Sequence, residues 1–472
     1  MGSVLRATLI LGSGSVVSLF AGFIANKAYA VWVGPEGLGL LSLLQGLLGL
    51  AALVAGMGLP SGLVRLGATA ASQNDSAFIA ALRQASWQLY ALLAGTMVLL
   101  SLLFGQPIAR LMLADSPASI LVWVVLAVLL SLAAGLQIGL LNAYHRIEML
   151  ARVTALSSIF GAAWGVGSVW LWREAALPLV LMGVPAAQLV LSSYFARNLY
   201  LTREKPLLAR VREARAQLLR FGFPYTLSQL VGSAVQLAMP FFVLHQLGQE
   251  NVGYYRAAVL FSTAYIGFLL NALGQDYYPR LSSVRDQPEV FRQTIHLQQT
   301  FVLLIGGPLI TLSIAMAPPM VTILFSAEFE PAVKVLQWQL LGDLLRFLSW
   351  TLGFAVLAIL PSRMYLFTET LGGGMMLGFC LWGMQQFGLQ GLGVGWLLGY
   401  GSYLLVLALV LVANKIWAPT WSNVGLLLLG LGVAALVRVF SQPWGLLVAL
   451  VWTLMCGLWL LVRLRQVRVE VR

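Results

Sequence analysis

Long apolar runs separated by short polar or basic segments make up most of this sequence. A run of about 20 apolar residues can cross a bilayer as an α-helix. The pattern predicts fourteen spans, at residues 6–32, 38–64, 84–106, 118–143, 151–172, 176–198, 221–246, 254–275, 296–317, 334–360, 364–386, 390–413, 421–439 and 444–463. The runs are continuous rather than alternating with polar residues, which is unlike the strands of a membrane barrel.

Composition supports an all-α polytopic membrane protein. Hydrophobic residues are 60% of the 472, charged residues are 9%, and the mean hydropathy is +0.88. The net charge of +12 is spread over many short loops. This distribution favours basic cytoplasmic loops and contact with anionic membrane lipids, and it argues against nucleic acid as a partner.

The basic residues also predict the orientation. With the N-terminus in the cytoplasm, 21 of the 28 Lys and Arg residues fall on the inner side, and the other seven lie outside or within spans. Loops rich in Lys and Arg stay in the cytoplasm, so both termini are predicted there. The run that ends at Ala28-Tyr29-Ala30 resembles a signal peptide, but it is long enough to be the first span, so we do not expect cleavage.

Weak internal similarity divides the chain into two halves. Gly39 matches Gly253 and Arg65 matches Arg280, at offsets of 214 and 215 residues. Six spans per half is an even number, which predicts parallel repeats related by an axis along the membrane normal, as in two-lobed transporters. The predicted divisions are an N-terminal six-helix lobe (1–199), a basic amphipathic linker lying at the cytoplasmic membrane interface (200–220), a C-terminal six-helix lobe (221–415) and two extra helices with a basic tail (416–472).

The tenth span carries two charges where hydrocarbon is expected. Arg346 lies roughly 18 Å along the helix from Lys334, near the membrane midplane. Asp343 is one turn earlier and shares a helix face with Arg346, so the two can pair. Charges at this depth normally face a partner or a wet cavity. The alternatives are a self-neutralised structural pair and a polar cavity wall that offers Arg346 to an anion.

Other polar residues in or beside the spans are candidates for the same cavity, and each also has a structural explanation. The cations can snorkel to the interface or follow the positive-inside rule, and the glutamines can bond to neighbouring helices. The candidate substrate-binding residues are Asn26, Lys27, Arg65, Gln229, Gln236, Arg256, Arg280 and Arg346. Asp343 and Glu369 are candidates for ion pairing or proton coupling.

Catalytic and metal-binding patterns are absent from the sequence. The two cysteines fall in apolar runs and the three histidines are scattered, which predicts neither a disulfide nor a metal site. No phosphate-binding glycine motif follows a strand pattern, so no nucleotide cofactor is expected. We expect a transporter without cofactors rather than an enzyme.

Two segments resemble a known family. VGPEGLGLLSLLQGLLGLAALVAGMGLPSGLVRL (Val33–Leu66) is similar to the first two spans of bacterial polysaccharide-lipid flippases, and Val335–Ala358 is similar to their tenth span, including Trp338–Asp343. The resemblance covers about residues 1–415 and places the chain in the multidrug/oligosaccharidyl-lipid/polysaccharide exporter superfamily. It implies two six-helix bundles in a V and, as substrate, an O-antigen or enterobacterial common antigen unit on undecaprenyl pyrophosphate.

The resemblance also implies a multi-pass protein of the bacterial inner membrane that works by alternating access, with a glycan polymerase among its possible partners. Relatives of this kind end after twelve spans, whereas some flippases of peptidoglycan precursor have fourteen. One rival is a drug/cation antiporter of the same superfamily, for which an acidic cavity is expected. Another is a membrane polysaccharide polymerase or ligase, for which a large outer loop is expected.

Overall fold

The computed structural model describes residues 2–73, 75–113, 117, 119–197, 206–262, 266–440 and 443–470. These residues form helices and short connections, with no strand among them. The fifteen helices are α1 (Gly2–Gly56), α2 (Leu59–Ser72), α3 (Ser76–Leu113), α4 (Ile120–Ala143), α5 (Ile147–Trp172), α6 (Leu177–Ala196), α7 (Leu208–Leu247), α8 (Gln249–Phe261), α9 (Gly267–Ser283), α10 (Pro288–Leu324), α11 (Glu330–Ile359), α12 (Ser362–Phe387), α13 (Leu389–Ala413), α14 (Trp421–Val439) and α15 (Trp444–Glu470). Short 3₁₀ turns cover Arg173–Ala176 and Ala327–Phe329.

Every predicted span overlaps one of these helices, so the all-α polytopic class is confirmed. Eight helical stretches in the described residues are long and apolar enough to cross a membrane, judged by length and composition. Agreement is best at the thirteenth span, where α14 covers the predicted residues 421–439. The ends differ most where a helix continues beyond its apolar part, as in α3 and α7.

The boundary between the first two predicted spans is a kink rather than a loop. α1 continues through it, and only Gly34 departs from helical geometry, with φ of 64°. Glycine tolerates this conformation because it has no Cβ. Pro35 then suits the first turn of the second arm, where its missing N–H group costs nothing.

The second predicted span, 38–64, is wrong as a single helix, because α1 ends at Gly56 and α2 begins at Leu59. Gly58 takes a left-handed conformation, with φ of 65°, and Pro60 lies in the first turn of α2. A Cβ on Gly58 would lie 2.9 Å from the carbonyl oxygen of Gly222 in α7. The break therefore lets the α7 backbone approach closely.

The chain divides into two compact units, Met1–Gly253 and Tyr254–Arg472. The first unit contains α7, which begins inside the predicted linker (200–220) and continues through the seventh predicted span. The lobe boundaries inferred from the repeat remain a prediction.

The start of α7 is the amphipathic segment that the sequence predicts, and its apolar face packs on α2 and α3. Val211, Ala214 and Leu218 are buried in one cluster with residues of α2 and α3, including Leu63 and Leu82. These α7 residues recur at helical spacing, so they form one stripe. This stripe packs on protein, and the position of the linker at the cytoplasmic membrane interface stays a prediction.

In the second unit, the core lies between α9, α10, α11 and α13, where Tyr277, Phe291, Leu352 and Leu407 are fully or almost fully buried. Gly391, Gly395 and Gly399 lie at four-residue spacing on one face of α13 and allow α12 to approach. A Cβ on Gly391 would overlap the carbonyl oxygen of Gly383 in α12. Such small faces are typical of close helix packing in membranes.

The two helices beyond the repeat belong to the second unit. Trp452 and Cys456 of α15 pack on Leu304 of α10. Thr300 of α10 donates a hydrogen bond of 2.7 Å to Asn423 of α14. Both helices are therefore attached to α10 by apolar and polar contacts.

Candidate functional site

A cavity of about 220 Å³ lies among α11, α12 and α13 in the second unit. We call it the α11–α13 cavity. Its walls include Arg346 and Trp350 from α11, Tyr365 and Glu369 from α12, and Tyr400 and Tyr403 from α13. The tenth, eleventh and twelfth predicted spans thus contribute to one polar and aromatic site.

Helical periodicity explains how α11 and α13 line this cavity. Arg346, Trp350 and Leu357 of α11 lie at spacings of four and seven residues, which puts them on one helix face. Tyr400 and Tyr403 are three apart on α13 and share a face in the same way. The ring of Tyr403 occupies its place because residue 372 of α12 is glycine, since a Cβ there would overlap the ring.

Asp343 lies behind the cavity wall and is fully buried. The Ser262 hydroxyl donates to it at 2.5 Å, the Trp396 indole at 3.2 Å and the Arg346 guanidinium at 3.4 Å. A buried carboxylate is costly unless hydrogen bonds and an opposite charge satisfy it. These donors provide that satisfaction, and the predicted pairing of Asp343 with Arg346 is confirmed.

Arg346 combines the two alternatives left open by the sequence. Its side chain pairs with Asp343, yet 20% of it remains exposed and it lines the cavity. The guanidinium carbon lies 5.6 Å from the ring centre of Tyr400 and 6.0 Å from that of Trp396. Arginine is suited to such stacking because its charge is delocalised over a plane. Its remaining donors can serve a ligand.

Glu369 lies on the α12 side of the same cavity. It accepts a short hydrogen bond from the Tyr403 hydroxyl. The cavity thus has a donor-rich side at Arg346 and an acceptor at Glu369.

The candidate residues of the first unit lie on three helices, α1, α2 and α7. Arg65 is exposed, with its guanidinium 5.0 Å from the centre of the Phe221 ring. Asn26 donates to the backbone of its own helix, at 2.8 Å from the Gly22 oxygen, and Lys27 is half-buried. Gln229 is exposed on α7. The side chain of Gln236 lies outside the described residues.

Two further candidates lie in the second unit but not in the cavity wall. Arg256 is half-buried in α8. Arg280 is exposed in the last turn of α9, where it donates to Gln298 at 2.9 Å and pairs with Asp276 at 3.8 Å. The structure therefore brings together Asp343, Arg346 and Glu369.

None of the residues predicted from the sequence lies on the aromatic side of this site. Trp396, Tyr400 and Tyr403 lie at i, i+4 and i+7, a spacing that predicts one aromatic face on α13. The same helix also carries Gly391, Gly395 and Gly399 at four-residue spacing. Ser262 follows α8 at a distant point of the chain, and nothing in the local sequence marks it as a partner of Asp343.

In the described part of the chain, no three His, Cys, Asp or Glu side chains are grouped as a metal site would require. Cys380 and Cys456 are both buried free thiols.

Residues 30–334 match the polysaccharide biosynthesis protein family. The chain is 23% identical to the lipid III flippase of Escherichia coli (strain K12) over 415 residues, which are 85% of this chain and 96% of the relative. The lipid III flippase of Shigella flexneri gives the same figures.

Solved structures show the same fold. The lipid II flippase MurJ in an inward closed conformation gives a TM-score of 0.74 at 14% identity, covering 95% of this chain and 98% of MurJ. An inward-facing multidrug resistance MATE transporter of the MOP superfamily gives 0.68 at 18% identity, covering 83% and 94%.

The matched proteins are flippases and transporters, and the prediction that the chain is not an enzyme is confirmed. The resemblance inferred from Val33–Leu66 and Val335–Ala358 is confirmed too. Both the match over residues 30–334 and the fold lead to one conclusion: the chain belongs to the polysaccharide biosynthesis protein family, with the fold of the MOP superfamily.

Proposed function

We propose that this protein flips a lipid-linked glycan, an O-antigen or related oligosaccharide unit on undecaprenyl pyrophosphate, from the cytoplasmic to the outer leaflet of the bacterial inner membrane. The observation that carries the proposal is the α11–α13 cavity, in which Arg346 is held deep in a spanning helix with part of its side chain open. The relatedness to lipid III flippases supports the same substrate class.

The physical problem for such a protein is the head group. Its pyrophosphate carries about two negative charges, and moving an isolated anion through hydrocarbon is prohibitive. Cations and amides along the path offset the lost hydration. In this proposal Lys27, Arg65, Arg256 and Arg280 supply the charges for the pyrophosphate, and Arg346 meets the head group in the α11–α13 cavity. The amides come from Asn26, Gln229 and Gln236.

Transport follows alternating access in this proposal. The head group enters a hydrated path while the lipid tail stays in the bilayer, and the two lobes then open toward the other face. Asp343 and Glu369 are the carboxylates available if a proton gradient drives the cycle. Both termini lie in the cytoplasm, and a glycan polymerase on the outer face would use the flipped unit.

Replacement of Arg346 tests the function. Arg346→Ala removes the charge and all donors, whereas Arg346→Gln keeps a donor toward Asp343. We expect both variants to lose surface glycan display in a strain that lacks its own flippase, and to lose movement of undecaprenyl-pyrophosphate sugars between leaflets of proteoliposomes. Arg110→Ala, at the exposed end of α3, is the matched control and should behave like the unmodified protein.

Normal glycan display by an Arg346→Ala protein of normal abundance would remove Arg346 from the mechanism. A drug/cation antiporter is the second candidate, and the two carboxylates at the cavity, Asp343 and Glu369, favour it. Proton-driven export of cationic dyes from inverted vesicles separates the two. We expect no such export.

A further inference from the structure

On the basis of the proposed function, we infer that the α11–α13 cavity binds a sugar ring of the lipid-linked glycan and not its pyrophosphate. The inference concerns which part of the head group Arg346 meets. It rests on the charge balance, the aromatic walls and the size of the cavity.

The charges at the cavity do not suit a pyrophosphate. One guanidinium, Arg346, faces two carboxylates, since Asp343 pairs with it at 3.4 Å and Glu369 lines the same wall. With both carboxylates ionised, the formal balance is one negative charge. Like charges repel, so a group with about two negative charges is disfavoured here. A neutral ring with hydroxyls, or an amino sugar, meets no such penalty.

The walls suit a sugar ring because they combine aromatic faces with polar ends. Trp350, Tyr365, Tyr400 and Tyr403 line the cavity. The C–H groups of a pyranose carry slight positive charge and pack against the electron-rich face of an aromatic ring. Hydroxyls at the edge of the sugar ring can accept hydrogen bonds from Arg346 and donate hydrogen bonds to Glu369. The sugar then has a charged partner on each side.

The aromatic wall is held in place before any ligand arrives. Trp350 stacks on Tyr277 with 5.7 Å between ring centres, and it meets Phe354 edge to face at 4.9 Å. Tyr277 is fully buried and donates to the Thr351 backbone at 3.2 Å. Such support fixes the orientation of Trp350, which is how binding sites acquire specificity.

The size of the cavity suits a single sugar ring. Its volume of about 220 Å³ is below the roughly 300–1,000 Å³ of pockets that enclose drug-sized molecules. Gly353 is part of the wall, and a Cβ built there would lie 3.8 Å from the Tyr403 hydroxyl, an ordinary contact. A larger side chain at 353 would therefore extend into the cavity from an ordinary contact with Tyr403.

Saturation-transfer NMR on the purified full-length protein tests this inference, with methyl N-acetylglucosaminide as the probe. We expect transfer from protein to the sugar ring, loss of the signal in Gly353→Leu, and binding about tenfold weaker in Glu369→Gln because a charged acceptor is removed. Gly374→Leu is the matched control, since residue 374 is exposed on α12 with no atom within 4 Å of a Cβ. It should retain the signal, and inorganic pyrophosphate should not displace the sugar.

No transfer in the unmodified protein, unchanged transfer in Gly353→Leu, or displacement by pyrophosphate would each overturn the inference. A leaflet assay separates this failure from failure of the proposed function. If the unmodified protein and Gly353→Leu both flip the lipid-linked glycan, the sugar site is refuted and the flippase stands. If the unmodified protein binds sugar but flips nothing, the flippase is refuted and the sugar site stands.

Discussion

The two units each hold an Asp–Arg ion pair, and the pairs differ in a way that distance does not reveal. Asp75 and Arg210 of the first unit are 2.7 Å apart with 35% and 42% of their side chains exposed. Asp343 and Arg346 of the second unit are 3.4 Å apart with 0% and 20% exposed. The shorter pair is the weaker contributor, because water screens it and would solvate either partner alone. The longer pair cannot lose a member without burying a bare charge.

The hydrogen-bond donors to the two carboxylates also differ, because one set is backbone and local and the other is made of side chains. Asp75 precedes α3 and accepts from the Phe78 backbone at 2.9 Å, a donor that any helix start provides. Asp343 relies on side chains, which are Ser262 after α8, Trp396 of α13 and Arg346 of its own helix. A carboxylate that needs three dedicated side chains inside a spanning helix is costly to maintain. That cost is the physical reason to propose a function for Asp343, whereas Asp75 caps α3 and pairs with Arg210.

The largest effect is expected from Asp343→Ala. This substitution leaves Arg346 without its counter-ion and two donors without an acceptor, and breaking a buried pair in this way costs about 3–5 kcal/mol. Thermal unfolding of the purified protein in detergent measures the loss. Asp75→Ala, the matched change in the exposed pair, should shift the unfolding temperature much less. Equal shifts would contradict the contrast between the pairs.

The double variant Asp343→Leu/Arg346→Leu separates stability from transport. Replacing both members of a buried pair by apolar residues is often neutral for stability. We therefore expect a fall in the unfolding temperature well below that of Asp343→Ala, because no bare charge is left and only the Ser262 and Trp396 donors lose their acceptor, together with complete loss of flipping. A double variant that still flips would show that the pair is structural only.

A smaller effect is expected from Trp396→Phe. Phenylalanine keeps the ring beside Tyr400, where the ring centres are 5.2 Å apart, but removes the N–H donor to Asp343. A hydrogen bond to a charged group contributes about 1.5–3 kcal/mol, so the fall in the unfolding temperature should lie below that of Asp343→Ala. Trp382→Phe, an exposed residue of α12, serves as the control and should leave the temperature unchanged. A fall as large as that of Asp343→Ala would assign the effect to ring packing.

The comparison of the two ion pairs also shows which features of the structure could be predicted from the sequence. Apolar run length predicts where helices lie, since hydrocarbon leaves the backbone few alternatives, and the pairing of Asp343 with Arg346 follows from their three-residue spacing. The close approach of Gly222 to the break at Gly58 joins residues that are 164 apart in the sequence. The contact of Ser262 with Asp343 joins residues that are 81 apart. Contacts of this kind are set by tertiary packing, which local patterns do not encode.

The smallest predicted effect concerns the pH dependence of the exposed pair. The Phe78 backbone N–H and, after it, Arg210 hold the pKa of Asp75 below its usual value, against the opposing effect of partial burial. A carboxyl group with a lowered folded-state pKa stabilises the protein above the unfolded pKa of about 3.9, and that contribution is lost as the pH falls through the folded pKa.

Asp75→Asn should therefore lower the unfolding temperature slightly at pH 7 and make its fall below about pH 4 shallower. Asparagine still caps a helix, which keeps the change small. A variant whose pH profile is parallel to that of the unmodified protein would show that Asp75 contributes through the cap alone, and that only the buried pair of the second unit depends on its charge.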